Sequence, residues 1–116
     1  MATPTTIDTW QQYQTEPFQV QLNVDAIGGP PVADDITGFA AGNFTAVLRD
    51  TSKPNDVPFQ GTFTIVAYSP AVLNCYPDAE DVNTPSTTNQ LIISRLNANT
   101  GKIKVYYPIN WTIRPS

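Results

Sequence analysis

Residues 102–114 read Lys-Ile-Lys-Val-Tyr-Tyr-Pro-Ile-Asn-Trp-Thr-Ile-Arg, and every odd position in the run is large and apolar: Ile103, Val105, Tyr107, Ile109, Trp111 and Ile113. Successive side chains of a strand point to opposite faces, so a period of two gives one buried face and one wet face. A helix would scatter the same residues around its axis. Pro108 cannot donate a ladder hydrogen bond, which places it at an edge or a bulge. A strand of this kind buries nothing alone and needs a second sheet against its apolar face.

The rest of the chain supplies that sheet. Residues 18–25 alternate, with Phe18, Val20, Leu22 and Val24 on the apolar side and Gln19, Gln21, Asn23 and Asp25 on the polar side. Gly28-Gly29-Pro30-Pro31 follows as a breaker. Residues 43–49 form a strand with Phe44, Ala46 and Leu48 inward. Residues 59–68 form another, with Phe59, Gly61, Phe63, Ile65 and Ala67 inward and Thr62, Thr64, Val66 and Tyr68 outward. Short strands are expected at 71–76 and 90–96, and Asn97-Ala98-Asn99-Thr100-Gly101 is a hairpin loop with Gly101 placed for a positive φ. Fifteen Thr, 11 Pro and 6 Gly fit a chain of strands and turns. About seven strands at this spacing predict an all-β, antiparallel β-sandwich of one domain. Phe63, Ile65, Ile93, Val105 and Trp111 are its expected core.

Residues 1–17 are polar, bracketed by Pro4 and Pro17, and carry Ile7, Trp10 and Tyr13 three apart. Either a helical turn or an extended arm fits them. The expected division is therefore an N-terminal arm, 1–17, and a sandwich domain, 18–116. Trp and Tyr anchor interfaces well, so Ile7, Trp10 and Tyr13 are candidate partner-binding residues. In the competing reading, Trp10 folds back onto its own sandwich.

Charge sharpens the choice. The net charge is −4, which argues against a nucleic-acid partner, since phosphate contact needs basic patches. Residues 1–48 hold Asp8, Glu16, Asp25, Asp34 and Asp35 and no Lys or Arg, whereas residues 82–116 hold Arg95, Lys102, Lys104 and Arg114 and no acid. Either these ends neutralise each other within one molecule or they form complementary patches on neighbouring copies, with Lys102 and Lys104 as candidate partner-binding residues. No apolar run reaches the ~20 residues of a membrane helix, and no signal peptide is expected from the polar N-terminus.

Catalytic chemistry is sparse. With no His, neither a Ser-His nor a Cys-His pair can form. One Cys and no His make a zinc site a poor expectation. Cys75, beside Leu73 and Tyr76, reads as a buried thiol. Asp78, Glu80, Asp81 and Asn83 hold the right oxygens for calcium but lack an EF-hand pattern, so they read as a solvated loop. No cofactor or metal is expected. Tyr68, Tyr76 and Tyr106 are candidates for stacking on sugars.

Several segments together resemble a known family. Gly42-Asn43-Phe44-Thr45-Ala46-Val47-Leu48-Arg49-Asp50 leads through a turn into Gly61-Thr62-Phe63-Thr64-Ile65. Tyr76-Pro77-Asp78-Ala79-Glu80-Asp81 and Thr84-Pro85 follow, and Gly101-Lys102 leads into Ile109-Asn110-Trp111-Thr112-Ile113. This pattern resembles the immunoglobulin-like modules of bacteriophage virion proteins, notably the N-terminal domain of baseplate upper proteins. Ser86-Thr87-Thr88-Asn89-Gln90 departs from it, lacking the Gly-x-Tyr strand start. The resemblance implies an immunoglobulin-like fold and a non-catalytic structural role in a virion assembled in the host cytoplasm, as capsid decoration or a tail or baseplate accessory. Its partners would be other virion proteins, including copies of itself. A carbohydrate-binding or adhesion module on a virion or cell surface is the alternative.

Overall fold

The computed structural model describes residues 6–26 and 28–115. Among them the chain forms β1 (Thr6–Gln11), β2 (Phe18–Gln21), β3 (Asn23–Ala26), β4 (Gly29–Ala33), β5 (Phe44–Asp50), β6 (Val57–Pro58), β7 (Thr62–Tyr68), β8 (Ala71–Tyr76), β9 (Asn89–Leu96), β10 (Ile103–Val105) and β11 (Ile109–Arg114). Short 3-10 turns cover Ala41–Asn43 and Ala79–Val82, and no α-helix occurs among the described residues. The protein is all-β, and its sheets are mostly antiparallel.

The larger sheet runs β1-β11-β9-β5-β6, with β10 also on β9; the second runs β2-β8-β7, and β3-β4 is a separate hairpin. Both main sheets feed one apolar core. Val20, Leu73 and Cys75 come from the second sheet, and Phe44, Leu48, Leu91, Ile93 and Trp111 from the first. The alternation of β7 is as expected, Phe63, Ile65 and Ala67 half-buried between exposed Thr62, Thr64, Val66 and Tyr68. Gly101, at φ 71°, closes the β9–β10 hairpin in the left-handed conformation that glycine adopts without strain.

Three expectations need correction. The first is the continuous strand over 102–114. Val105 pairs with Ser94 of β9, but Ile109 pairs with Leu91, so the register against β9 slips by one residue across Tyr106-Tyr107-Pro108. A one-residue slip exchanges the faces. Val105 is consequently 60% exposed and Ile103 67%, whereas Tyr106 is 3% exposed and Trp111 fully buried. Pro108 cannot join the ladder, and the Tyr107 amide donates instead to the Asn23 carbonyl at 3.0 Å. Val105 therefore does not belong to the core.

The second is the arm. Residues 6–11 are neither a helical turn nor a free segment: β1 lies parallel to β11, Ile7 beside Trp111 and Trp10 beside Ile113. Trp10 is 6% exposed, and its ring meets Phe18 at 5.0 Å and Trp111 at 5.6 Å, both edge-on. The strand edge that β11 offers to β1 and the aromatic contacts of the Trp10 ring favour this docking over an exposed anchor. β1 thus belongs to the body of the fold, and the boundary at residue 17 falls between two strands of one core.

The third concerns polar stretches. Gly29-Pro30-Pro31 opens β4 rather than only breaking the chain; β4 pairs with β3 alone, so its prolines need donate to nothing. The loop at 77–89 is not wholly solvated, since Val82 is fully buried and Asp81 is 6% exposed. The burial of Asn23 also departs from the strict alternation read for 18–25.

Candidate functional site

The tip and outer face of the β9–β10 hairpin combine the exposed features most suited to recognition. Leu96 stands opposite Ile103 and Ser94 opposite Val105, so these four side chains share one face. Leu96 is 45% exposed, which with Ile103 and Val105 makes a contiguous apolar strip at a sheet margin. Lys102, also exposed, flanks it. An exposed apolar patch rimmed by polar groups marks an interaction surface.

The opposite face of the same hairpin holds it rigid. Arg95 and Lys104 are cross-strand partners, and both reach Asp34, Arg95 Nη1 at 2.9 Å and Lys104 Nζ at 3.5 Å. The Tyr106 hydroxyl donates to the same Asp34 carboxylate at 2.8 Å. Arg95 also stacks its guanidinium on the Phe39 ring, 4.0 Å from the centroid. Burial, together with the hydrogen bond to Asp34, pushes the Tyr106 phenol up and keeps it neutral at ordinary pH. The acidic first part and the basic last part of the chain thus neutralise each other within one molecule at Asp34.

The five anticipated partner-binding residues separate. Trp10 lies in the core. Ile7 packs against the same core. Tyr13 is 59% exposed, but it sits beyond β1, its amide donating to the Val82 carbonyl at 2.9 Å. Lys104 is half-buried on Asp34, and Lys102 alone of the five lies beside the apolar strip. Leu96 and the Asp34–Arg95–Tyr106 hub escaped the sequence reading. A signal existed: Arg95 shares the parity of Leu91 and Ile93, and a cation at an inward position demands a buried anion.

Two further carboxylates, Asp50 and Asp81, are committed to the fold. Asp50 accepts from Ser52 N at 3.0 Å, Ser52 Oγ at 2.6 Å and Ser86 Oγ at 2.8 Å, and also from the Thr88 hydroxyl. Those bonds, led by that of the Ser52 hydroxyl, hold its carboxyl far below the usual range. Asp81 accepts from the amides of Gln60 at 2.7 Å and Asp78 at 2.9 Å. Its burial outweighs these bonds and pushes the carboxyl up. Asp81 is therefore a cap joining the 77–83 loop to the start of β7. The Cys75 thiol is pushed up by burial alone, so it is not a thiolate nucleophile. No group of three or more His, Cys, Asp or Glu among the described residues is placed to hold a metal.

A groove of about 480 Å³ opens between the margins of the two sheets, lined by Phe44, Ala46, Pro58, Phe59 and Phe63. A second, of about 630 Å³, runs past Asp50, Ser86, Thr88 and Thr112. Of the three tyrosines considered for sugar stacking, Tyr106 is corrected to a core residue, while Tyr68 and Tyr76 are exposed at 49% and 37%. Comparison with protein-family models, with curated proteins and with solved structures finds no match.

Proposed function

We propose that this chain is a non-catalytic, immunoglobulin-like sandwich module that docks onto other virion subunits through its β9–β10 hairpin. Strand order supports the fold. Lettered from β1 as A′, the first sheet is A′-G-F-C-C′ and the second B-E-D, with β2 as B, β5 as C, β6 as C′, β7 as D, β8 as E, β9 as F and β11 as G. The G-F-C and B-E-D groupings agree with the immunoglobulin division, with β1 and β6 as edge strands flanking G-F-C and no strand A beside B, and this supports the reading. The single Cys75 on β8 and the core Trp111 on β11 depart from antibody domains, which place a Trp on C against a B–F disulfide.

The observation carrying the docking role is the apolar strip of Leu96, Ile103 and Val105 on a rigid hairpin. Burying these side chains against a partner removes apolar area from water, at about 25 cal/mol per Å². Lys102 at its rim suits an acidic margin on the partner. The virion setting rests on the sequence resemblance. Quantitative mass spectrometry of purified particles from the phage encoding the chain tests it. A fixed copy number per particle is expected; absence from particles overturns the reading.

A further inference from the structure

We propose that a pocket at the end of the core, where β5 and β11 finish and β9 begins, receives a lysine or arginine side chain of a partner protein. The pocket holds about 120 Å³ and lies where Leu48, Asn89 and Ile113 meet the loop that follows β8. Asp50, Glu80 and Asp81 line it, with Lys53. Glu80 and Lys53 are exposed, whereas Leu48, Asp81, Asn89 and Ile113 are buried, so the pocket runs from a charged mouth to a buried base. At about 10–15 Å³ per water, the space is that of several waters, enough for the end of a side chain.

Asn89 carries the inference. It has the inward parity of Leu91 and Ile93 and is 8% exposed, yet its side-chain amide makes no hydrogen bond within the described protein. The sealed, partnerless polar atoms are Arg95 Nε and Trp111 Nε1; the Asn89 amide instead opens into the pocket it lines. A buried amide without a protein partner calls for a polar group from outside. Charge gives that group its sign. Three carboxylates stand against one ammonium, and none of the three is paired with a cation: the ion pairs among the described residues are Arg49–Asp56, Arg95–Asp34 and Lys104–Asp34. The amides of Gln60 and Asp78 hold Asp81 in place, and Ser86 holds Asp50. Their bonds fix where the negative charge sits without neutralising it.

Apolar walls select among cations. Leu48, Val57 and Ile113 suit methylene groups, and the carboxylates and the Asn89 carbonyl oxygen suit N–H donors at the end of the stem. Lysine and arginine combine an aliphatic stem with a cationic head that only donates. A cationic head beside Asp81 also offsets the burial that pushes its carboxyl up. No metal geometry competes among the described residues. The pocket shares no residue with the strip of Leu96, Ile103 and Val105, so the inference does not rest on the virion reading.

Amide chemical shifts of the whole chain, labelled with nitrogen-15, test it on titration with Nα-acetyl-lysine methylamide and Nα-acetyl-arginine methylamide. Nα-acetyl-norleucine methylamide, which has the stem without the charge, is the control. Saturable shifts are expected at the Asn89 side-chain amide and at the backbone of Glu80 and Asp81 with at least one basic probe, and none with norleucine. Asn89→Ala should weaken binding about tenfold or more, as loss of a hydrogen bond to a charged group does. Glu80→Gln, at an exposed position that leaves the fold intact, should weaken it about threefold through one solvent-screened charge. No saturable shift with either basic probe, equal shifts with norleucine, or affinity unchanged in both variants overturns the proposal. So does calcium chloride giving the same shifts at equal or lower concentration, which would make the pocket a metal site.

Discussion

Replacing Trp10 by Ala removes an indole that is 6% exposed and that joins β1 to both sheets. Truncating a buried Trp costs about 3–5 kcal/mol through lost transfer energy and the cavity left behind. The edge-on contacts with Phe18 at 5.0 Å and Trp111 at 5.6 Å, about 0.5–1.5 kcal/mol each, are already contained in that range. The Nε1 hydrogen bond to the Gln14 carbonyl, at 2.9 Å, is lost as well, although Gln14 is not deeply buried and water can replace the donor. A total near 4 kcal/mol is expected. With a urea dependence of about 2 kcal/mol per molar for a domain of this size, the midpoint falls by about 2 M. Deleting residues 2–14 is expected to be at least as harmful, because it also exposes the edge of β11. Equilibrium urea unfolding followed by Trp111 fluorescence measures both variants. A loss under about 1 kcal/mol in Trp10→Ala, or a deletion variant as stable as the full chain, would show that β1 does not belong to the core.

Further outcomes follow from the same geometry. Val105→Ala is expected to change stability by less than about 0.5 kcal/mol, as exposed positions do, whereas Trp111→Ala should lose about 3–5 kcal/mol; the reverse order in thermal denaturation would restore an unbroken strand over 102–114. Asp34→Ala leaves Arg95 and the Tyr106 hydroxyl without their anion, and removing one partner of a buried pair costs about 3–5 kcal/mol; a loss below about 1 kcal/mol would mean that water reaches the hub. Asp50 has a folded pKa depressed below its unfolded value, so its contribution is present above about pH 4 and lost as pH falls through the folded pKa. Asp81 has the opposite sign: its contribution is present below the ordinary carboxylate pKa and lost as pH rises through the elevated one. Melting curves at stepped pH should therefore show a smaller drop between pH 4 and pH 2 for Asp50→Asn than for the wild type, and an equal drop would contradict the assignment. Gly61→Ala should destabilise by about 1–3 kcal/mol, because a Cβ there meets the Tyr76 carbonyl and comes within 2.6 Å of the Phe59 ring; unchanged chemical denaturation would refute that close approach.

Much of the fold was legible because period-two alternation reports burial directly. Phe44 and Leu48 on β5, and Phe63 and Ile65 on β7, face the core as their spacing demands. Alternation cannot report a register slip, because both sides of a one-residue slip still read as period two. That is why Ile103 and Val105, apolar and in phase with Trp111 by sequence, end on the wet side. Nor can it place a short polar strand such as β1, whose burial depends on the β11 edge some 100 residues away in sequence, Trp10 lying beside Ile113. The docking candidates were legible only in part. Lys102 sits beside the apolar strip, but Leu96, Ile103 and Val105 became visible as a surface only once pairing with β9 was known. Polar residues at inward positions, Arg95 above all, carried a signal that a parity count would have caught.

The docking role stands or falls on co-sedimentation of the chain with phage particles lacking it. Wild-type chain should pellet with the particles to a saturable copy number, and Ile103→Asp/Val105→Asp should stay in the supernatant while melting within a few degrees of wild type, since both side chains are exposed at 67% and 60%. Equal pelleting of the two proteins would contradict docking through the β9–β10 hairpin, and failure of the wild type to pellet would contradict a virion role.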